Sequence, residues 1–391
     1  MTRPRANLGE GRTLPVRVEP VPGEAFDSWT ERLAAGLRVE HGTALFAIGA
    51  ASSPRWDGFA GFWNVMVAAE QLEEIARRCR LGVDQVAGML LASYDGRALD
   101  CSVLALGDGA SYRSFVQRSH PRFLSGSSRA CPGCLADDDG AWLLSWRLPW
   151  SFACRRHRCL LIDDCPGCRR PLRRPERGAN RARFIGQVPR PGHCTNPAPA
   201  LRVNERAARP CGHDLRGVSA VSLDGGETVL DAQQLVDAVL RDGTASLAGR
   251  PLSAHDFYHD LAILVRLVLR LAEPDDRPVA DLLETGPSMT ELFARFEHER
   301  NTRPLRTKTA LSSATMAVAM AVALPIVAAP DPESAITAVR WLIDSVYRQR
   351  RATAGELRHN WGRPGPVLSS LLDEGFRRSL GLRGPRPRTR R

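Results

Sequence analysis

Eight of the chain's ten cysteines lie between Cys131 and Cys211, and their spacing limits the fold more than any other feature of the sequence. The run reads Cys131-Pro132-Gly133-Cys134, Cys154-Arg155-Arg156-His157 and Cys165-Pro166-Gly167-Cys168, and closes on Cys194 and Cys211. Two residues between paired ligands let a tight turn aim both at one ion, and Pro-Gly supplies the fixed and the permissive φ that the turn needs. Paired in chain order, the ligands give one set of three cysteines and a histidine, Cys131, Cys134, Cys154 and His157. They also give one all-cysteine set, Cys165, Cys168, Cys194 and Cys211. Each is closed to water, so two structural Zn2+ ions are expected. Two alternatives stay open. Cys131 and Cys134 can pair with Cys165 and Cys168, and His193 or His213 can replace the neighbouring Cys194 or Cys211. Cys159, beside Leu160, Leu161 and Ile162, reads as a small buried residue, and Cys79 and Cys101 read as structural.

Disulfides are the competing reading of the same cysteines. The first residues are basic with no apolar run behind them, so no secretory signal is read and a cytoplasmic, nucleoid-associated setting is expected. Thiols stay reduced there, which favours zinc. The segment Ala314–Ala329 is too short, too rich in alanine and too interrupted by Pro325 for a membrane span, and reads as a buried helix.

Net charge is +11, and it is unevenly placed. Between His120 and Arg216, 18 Arg face 8 acidic residues, and Arg377–Arg391 adds seven Arg and no acid. Lys308 is the only lysine, which points to coding bias towards Arg, but bias does not explain clustering. A basic concentration on the cysteine region and the tail predicts contact with a polyanion. Arg155, Arg156, Arg169, Arg170, Arg173, Arg174, Arg177, Arg181 and Arg183 are the candidate contacts to DNA phosphates, since guanidinium groups at this density bind phosphate in a salt-sensitive way.

The fold class read from the rest is mainly α. Residues 1–13 and the basic tail 379–391 are expected to be disordered. A helical N-terminal domain over 14–120 is followed by a double zinc-knuckle module over 121–216 and a helical C-terminal domain over 227–378. Prolines make Leu14–Glu24 extended, and Trp29, Leu33 and Leu37 then mark an amphipathic helix with Asp27 or Ser28 as its cap. Gln71–Cys79 and Val83–Leu91, around a glycine turn, have a helix-turn-helix outline with Leu72, Ile75, Ala76, Val83, Val86 and Leu90 inward. The second helix carries Asp84 and Gln85 and no Arg, so packing or partner docking is favoured over reading of bases. The tryptophans Trp142, Trp146 and Trp150 are read as the core of the metal module in preference to a base-stacking surface.

Further helices are expected at Leu230–Leu240, from Ser253 through Leu271, and at Met289–Glu299, Thr309–Val327, Glu333–Arg350 and Val367–Arg378. His255 and His259 share a helix face without a third ligand, so a surface or capping role is expected. No phosphate loop ending in Lys-Ser or Lys-Thr, GxSxG elbow, HExxH or spaced carboxylate set is found, and enzymatic function has no support.

Two stretches resemble the TniQ/TnsD family of transposition proteins. One is Pro20-Val21-Pro22-Gly23-Glu24 with Ser28-Trp29 and Arg32-Leu33-Ala34. The other runs from Cys131-Pro132-Gly133-Cys134-Leu135 through Trp142, Trp146-Arg147-Leu148-Pro149-Trp150, Cys154, His157 and Leu160-Leu161 to Cys165-Pro166-Gly167-Cys168. The resemblance implies a non-catalytic target-selection subunit that binds target DNA or docks on an RNA-guided effector, and connects it to an AAA+ ATPase regulator and transposase. It also implies zinc at the ligands named above and a helix-turn-helix N-terminal region. One departure is that Cys194 and Cys211 are far apart where the family often has a close pair. A zinc-containing transcriptional regulator is the alternative function. No membrane partner is expected, and a homodimer is left open.

Overall fold

The computed structural model describes residues 13–51, 64–102, 104, 124, 127–173, 187–196, 198, 210–302, 311–349 and 363–379. The expectations for residues 1–12, for the tail beyond Ser379 and for Arg174, Arg177, Arg181 and Arg183 lie outside the described residues. The chain divides into two compact units. The first comprises Met1–Asp95, Asp100–Leu148 and Ile162–Ser219, and the second Gly96–Leu99, Pro149–Leu161 and Ala220–Arg391. Helix dominates both, and the described strands form only two short hairpins.

In the first unit, α1 (Phe26–Leu37) packs Trp29 and Leu33 into an apolar core with Leu45 and Ile48 of the α2 (His41–Ala47) region, Ile75 and Ala76 of α3 (Ala69–Cys79) and Val86 of α4 (Val83–Gly88). The extended lead-in is anchored through Trp29 Nε1, which donates to Val18 O at 2.9 Å. The cap of α1 differs from expectation. Ala25 holds the N-cap position with no side-chain bond, while Asp27 and Ser28 lie inside the helix and are buried. Their partners explain why: Ser28 Oγ donates to Glu24 Oε1 at 2.7 Å and accepts Trp142 N at 2.8 Å, and Asp27 faces two arginines.

The α3–α4 pair has the expected outline with two corrections. The left-handed residue at the turn is Arg80 (φ 56°), whose Nη2 donates to Leu14 O at 2.8 Å, and Gly82 instead caps α4. Val83 is exposed, not inward, because α4 buries only Val86. Cys79 is buried in α3, and burial pushes its thiol up to about 12, as it does for Cys101.

The first unit also contains α5 (Pro132–Asp137), and the second opens with the hairpin of β1 (Ala153–Cys154) and β2 (Cys159–Leu160). It continues with α6 (Glu227–Asp242), the hairpin of β3 (Thr244–Leu247) and β4 (Arg250–Ser253), and α7 (Ala254–Leu271). Then follow α8 (Arg277–Leu283), α9 (Pro287–Thr302), α10 (Ser313–Val327), α11 (Pro332–Gln349) and α12 (Pro366–Ser379). Ser253 caps α7 as expected, its Oγ accepting Asp256 N at 3.1 Å, and Leu261, Ile263, Leu264, Leu267, Val268 and Leu271 are all buried.

Helix α10 is apolar on every side, is buried along its length except at Leu324 and Pro325, and is packed by α6, α7, α9 and α11. Its small side chains let those neighbours approach closely, which is the buried-helix outcome. No helix of the described residues is long and apolar enough to cross a membrane.

Candidate metal centres

All eight expected ligands are described, and they gather in chain order. Cys131, Cys134, Cys154 and His157 form one group and Cys165, Cys168, Cys194 and Cys211 another, with the ligand atoms of each within 4.8 Å of one another. The interleaved pairing is not adopted, and every cysteine is a free thiol.

Local folding positions each knuckle. Cys131 is the N-cap of α5, with Pro132 in its first turn, and its Sγ accepts Cys134 N at 3.5 Å. Cys154 Sγ accepts His157 N at 3.4 Å and lies 3.5 Å from His157 Nδ1, while Arg158 turns the chain back with φ 45° into β2. Cys159 pairs with Cys154 across this hairpin and belongs to neither group.

In the second knuckle Arg169 N donates to Cys165 O at 2.7 Å and Cys165 N to Arg170 O at 3.0 Å, with Arg169 at φ 56°. Gly167 is needed for close approach, since a Cβ there would stand 2.9 Å from the Cβ of His213. The long separation of Cys194 and Cys211 is closed by antiparallel pairing: Cys194 N donates to His213 O at 2.9 Å, Gly212 N to Cys194 O at 3.0 Å and Cys211 N to Asn196 O at 2.6 Å. Pairing across a loop thus does what a close cysteine pair does elsewhere. His193 instead lies 3.1 Å from Pro191 O through Nδ1 and 3.9 Å from Asp214 through Nε2, and the four-atom group is made of sulfurs.

The geometry fits a tetrahedral ion. Zinc–sulfur arms of about 2.3 Å at the tetrahedral angle set sulfurs about 3.8 Å apart, against about 2.05 Å in a disulfide. Cys165 and Cys211 are 3.9 Å apart and Cys168 and Cys194 3.8 Å. Burial pushes the Cys194 and Cys211 thiols up. At Cys168 burial acts the same way but is outweighed by hydrogen bonds from Arg170 N and the Asn196 side chain, which hold its thiol down. Sulfurs that burial would otherwise keep protonated become thiolates when a divalent cation displaces the protons. Six of the eight ligands are buried, and His157 and Cys211 are half-buried, so the groups are closed.

Sequence reasoning missed a buried charge cluster in the first unit. Arg147 binds Asp27, and Arg173 binds Asp27 Oδ2 at 3.0 Å and Glu31 Oε2 at 2.7 Å while its guanidinium lies 4.5 Å over the Trp142 ring. Burial raises the Asp27 carboxyl, but the two arginines overcome it and hold the group below its ordinary value. At Glu31 burial prevails over Arg173 and the carboxyl is raised. His41, 2.9 Å from Thr30 Oγ1, is held down at about 4 by burial. Arg173 is therefore turned inward, a correction to its place among the phosphate contacts. Charge type and local density pointed outward, and only the acidic face of α1 shows otherwise.

Of the other candidate contacts, Arg155, Arg156 and Arg169 are exposed and Arg170 is half-buried. Arg155 Nη2 donates to Gln234 Oε1 at 2.6 Å, which fixes its direction on the second unit. The tryptophans are buried as read: Trp142 meets Trp146 edge to face at 5.7 Å, and in the second unit Trp150 stacks on Tyr258 at 5.2 Å. His259 Nε2 lies 2.9 Å from Arg363 O, and His255 and His259 join no metal group among the described residues.

No curated protein sequence matches the chain. Residues 15–161 match the family model TniQ, a span that takes in α1 to α5, the β1–β2 hairpin and the four ligands of the first group. TniQ-family members are non-catalytic adaptors associated with transposition. Over that span, somewhat over a third of the chain, the sequence is similar to the TniQ family.

Proposed function

We propose that the protein is a non-catalytic adaptor that binds target DNA, or an RNA-guided effector already on it, and connects that target to an AAA+ ATPase regulator and its transposase. Each of the two ligand groups holds one structural Zn2+: the sulfur-rich donor sets, tetrahedral spacing and closure to water suit that ion. The observation that carries the reading is the gathering of all eight ligands into two closed groups, in a chain matched to TniQ through the first of them.

The zinc ions do no chemistry in this scheme. They fix the knuckle turns against the buried tryptophans and so present Arg155, Arg156, Arg169 and Arg170 to the phosphate backbone. Duplex binding measured against salt concentration tests this. Each phosphate contact contributes about 0.9 to the slope of log affinity on log salt. Changing these four arginines together to Ala is expected to flatten the slope by about 3 to 4 and weaken binding alike on unrelated sequences. An unchanged slope with both ions retained overturns the assignment of DNA contact to these arginines.

A further inference from the structure

Asn196 belongs to neither ligand set, yet it touches three of the four ligands of the second group. Its side chain is buried, with 1% of the residue exposed. Nδ2 lies 2.8 Å from Pro171 O, 3.5 Å from Arg170 O and 3.7 Å from Cys168 Sγ. Its backbone N–H serves Cys194, and its carbonyl accepts Cys211 N at 2.6 Å. Three acceptors around one atom decide which end of the amide is nitrogen, because the reversed amide would set an oxygen against two carbonyls and a sulfur.

The cost of this placement falls on the other end. Oδ1 is buried with no donor. A residue retained only to fill space would avoid an orphan oxygen by being apolar, since an unpaired buried acceptor is penalised. The donor end is therefore the part the fold uses.

We propose that Asn196 is a positioning residue of the second metal centre, donating an N–H···S bond to the Cys168 thiolate and tying the Cys194 strand to the Cys165–Cys168 knuckle. The inference rests on the reading that these sulfurs hold Zn2+. Four thiolates around a divalent cation leave two negative charges in a buried place, and N–H donors are the means available to offset them. Cys168 accepts from Arg170 N and the Asn196 side chain, Cys194 from Asn196 N and Cys211 from His213 N. Outer partners of this kind orient metal ligands and tune affinity.

The test uses the full chain purified with zinc, its metal content measured first. Release of the ions to a chromophoric chelator is followed for the wild type, Asn196→Leu and Asn196→Asp, and mass mapping of newly alkylated cysteines assigns each phase to a group. Loss of an outer-shell partner typically costs 10–100-fold in metal affinity, so the ion of the second group is expected to leave at least about tenfold faster in Asn196→Leu. It should leave faster still in Asn196→Asp, where a carboxylate faces the thiolate, while release from the first group is unchanged.

A second measurement needs no variant. In the wild-type chain loaded with cadmium-113, the Asn196 side-chain protons should show scalar coupling to the metal through the sulfur. If both variants fail to fold, this coupling decides. Two bound ions released at wild-type rates from folded variants, or absence of the coupling, overturns the role of Asn196 alone. Fewer than two ions in the wild type removes the metal reading and this proposal together.

Discussion

The two units solve the same problem of cohesion with different materials. In the second, α10 is enclosed by α6, α7, α9 and α11, and alanine, valine, leucine and methionine supply the contacts. In the first, an apolar core around Trp29 and Ile75 and the buried Trp142 and Trp146 stand beside the sulfur group of Cys165, Cys168, Cys194 and Cys211, the strands that pair around it and a buried charge cluster. Burial of apolar area accrues in small increments and tolerates a lost methylene. A buried ion pair or metal centre depends on each partner, and removal of one leaves a charge or thiolate stranded. The first unit should therefore fail abruptly where the second yields by degrees.

The largest contrast expected from a single side chain is at Arg173. Arg173→Met leaves Glu31 without its cation and Asp27 with only Arg147, and breaking a buried pair in this way costs about 3–5 kcal/mol. The neighbouring exposed Arg169→Met should change stability by about 0.5 kcal/mol or less. Chemical unfolding of the first unit, followed by tryptophan fluorescence, measures both. Equal effects would remove the charge cluster from the account.

Acid comes next. His41 titrates at about 4 in the fold against 6.5 as a free side chain, with Asp27, Arg173 and Thr30 around it. A depressed value favours the neutral ring, so its contribution is fully present above pH 6.5 and is lost as pH falls towards 4. At about 1.4 kcal/mol per unit the loss amounts to about 3 kcal/mol in the first unit. His41→Asn should remove this part of the pH dependence between 6.5 and 4, and an unchanged profile would place the sensitivity elsewhere.

A smaller loss than at Arg173 or His41 is expected in the second unit. Ser253→Ala deletes the cap of α7 and should cost about 1 kcal/mol, read as a lowered melting temperature of the helical signal. A loss as large as that of Arg173→Met would mean that the two units do not differ as described.

Legibility follows the same division. Helices α7, α9, α11 and α12 are readable because their apolar residues recur with helical period, and Ser253 announces its own helix. The eight ligands are readable because short spacing is itself geometry. Arg173 misleads because its partners Asp27 and Glu31 lie 146 and 142 residues away, and no local pattern reports them. Asp27 resembles a cap for the same reason. The short helices α2 and α8 and the β3–β4 hairpin escape notice, since seven- and four-residue elements carry too few periods to stand out. Asn196 gives no signal, because a polar residue two positions after a cysteine acquires its role only when the Cys194 and Cys211 strands pair.

The central claim is that the knuckle region needs metal ions in addition to its buried tryptophans to keep its fold. Hydrogen exchange on the reduced full chain, with metal content measured before and after chelation, tests it most directly. The account predicts two zinc ions per chain, and loss of protection over residues 127–173, 187–196 and 210–219 when they are removed, while α7, α10 and α11 stay protected. A chain purified without zinc, or one whose knuckle region keeps its protection after the metal is gone, would contradict it.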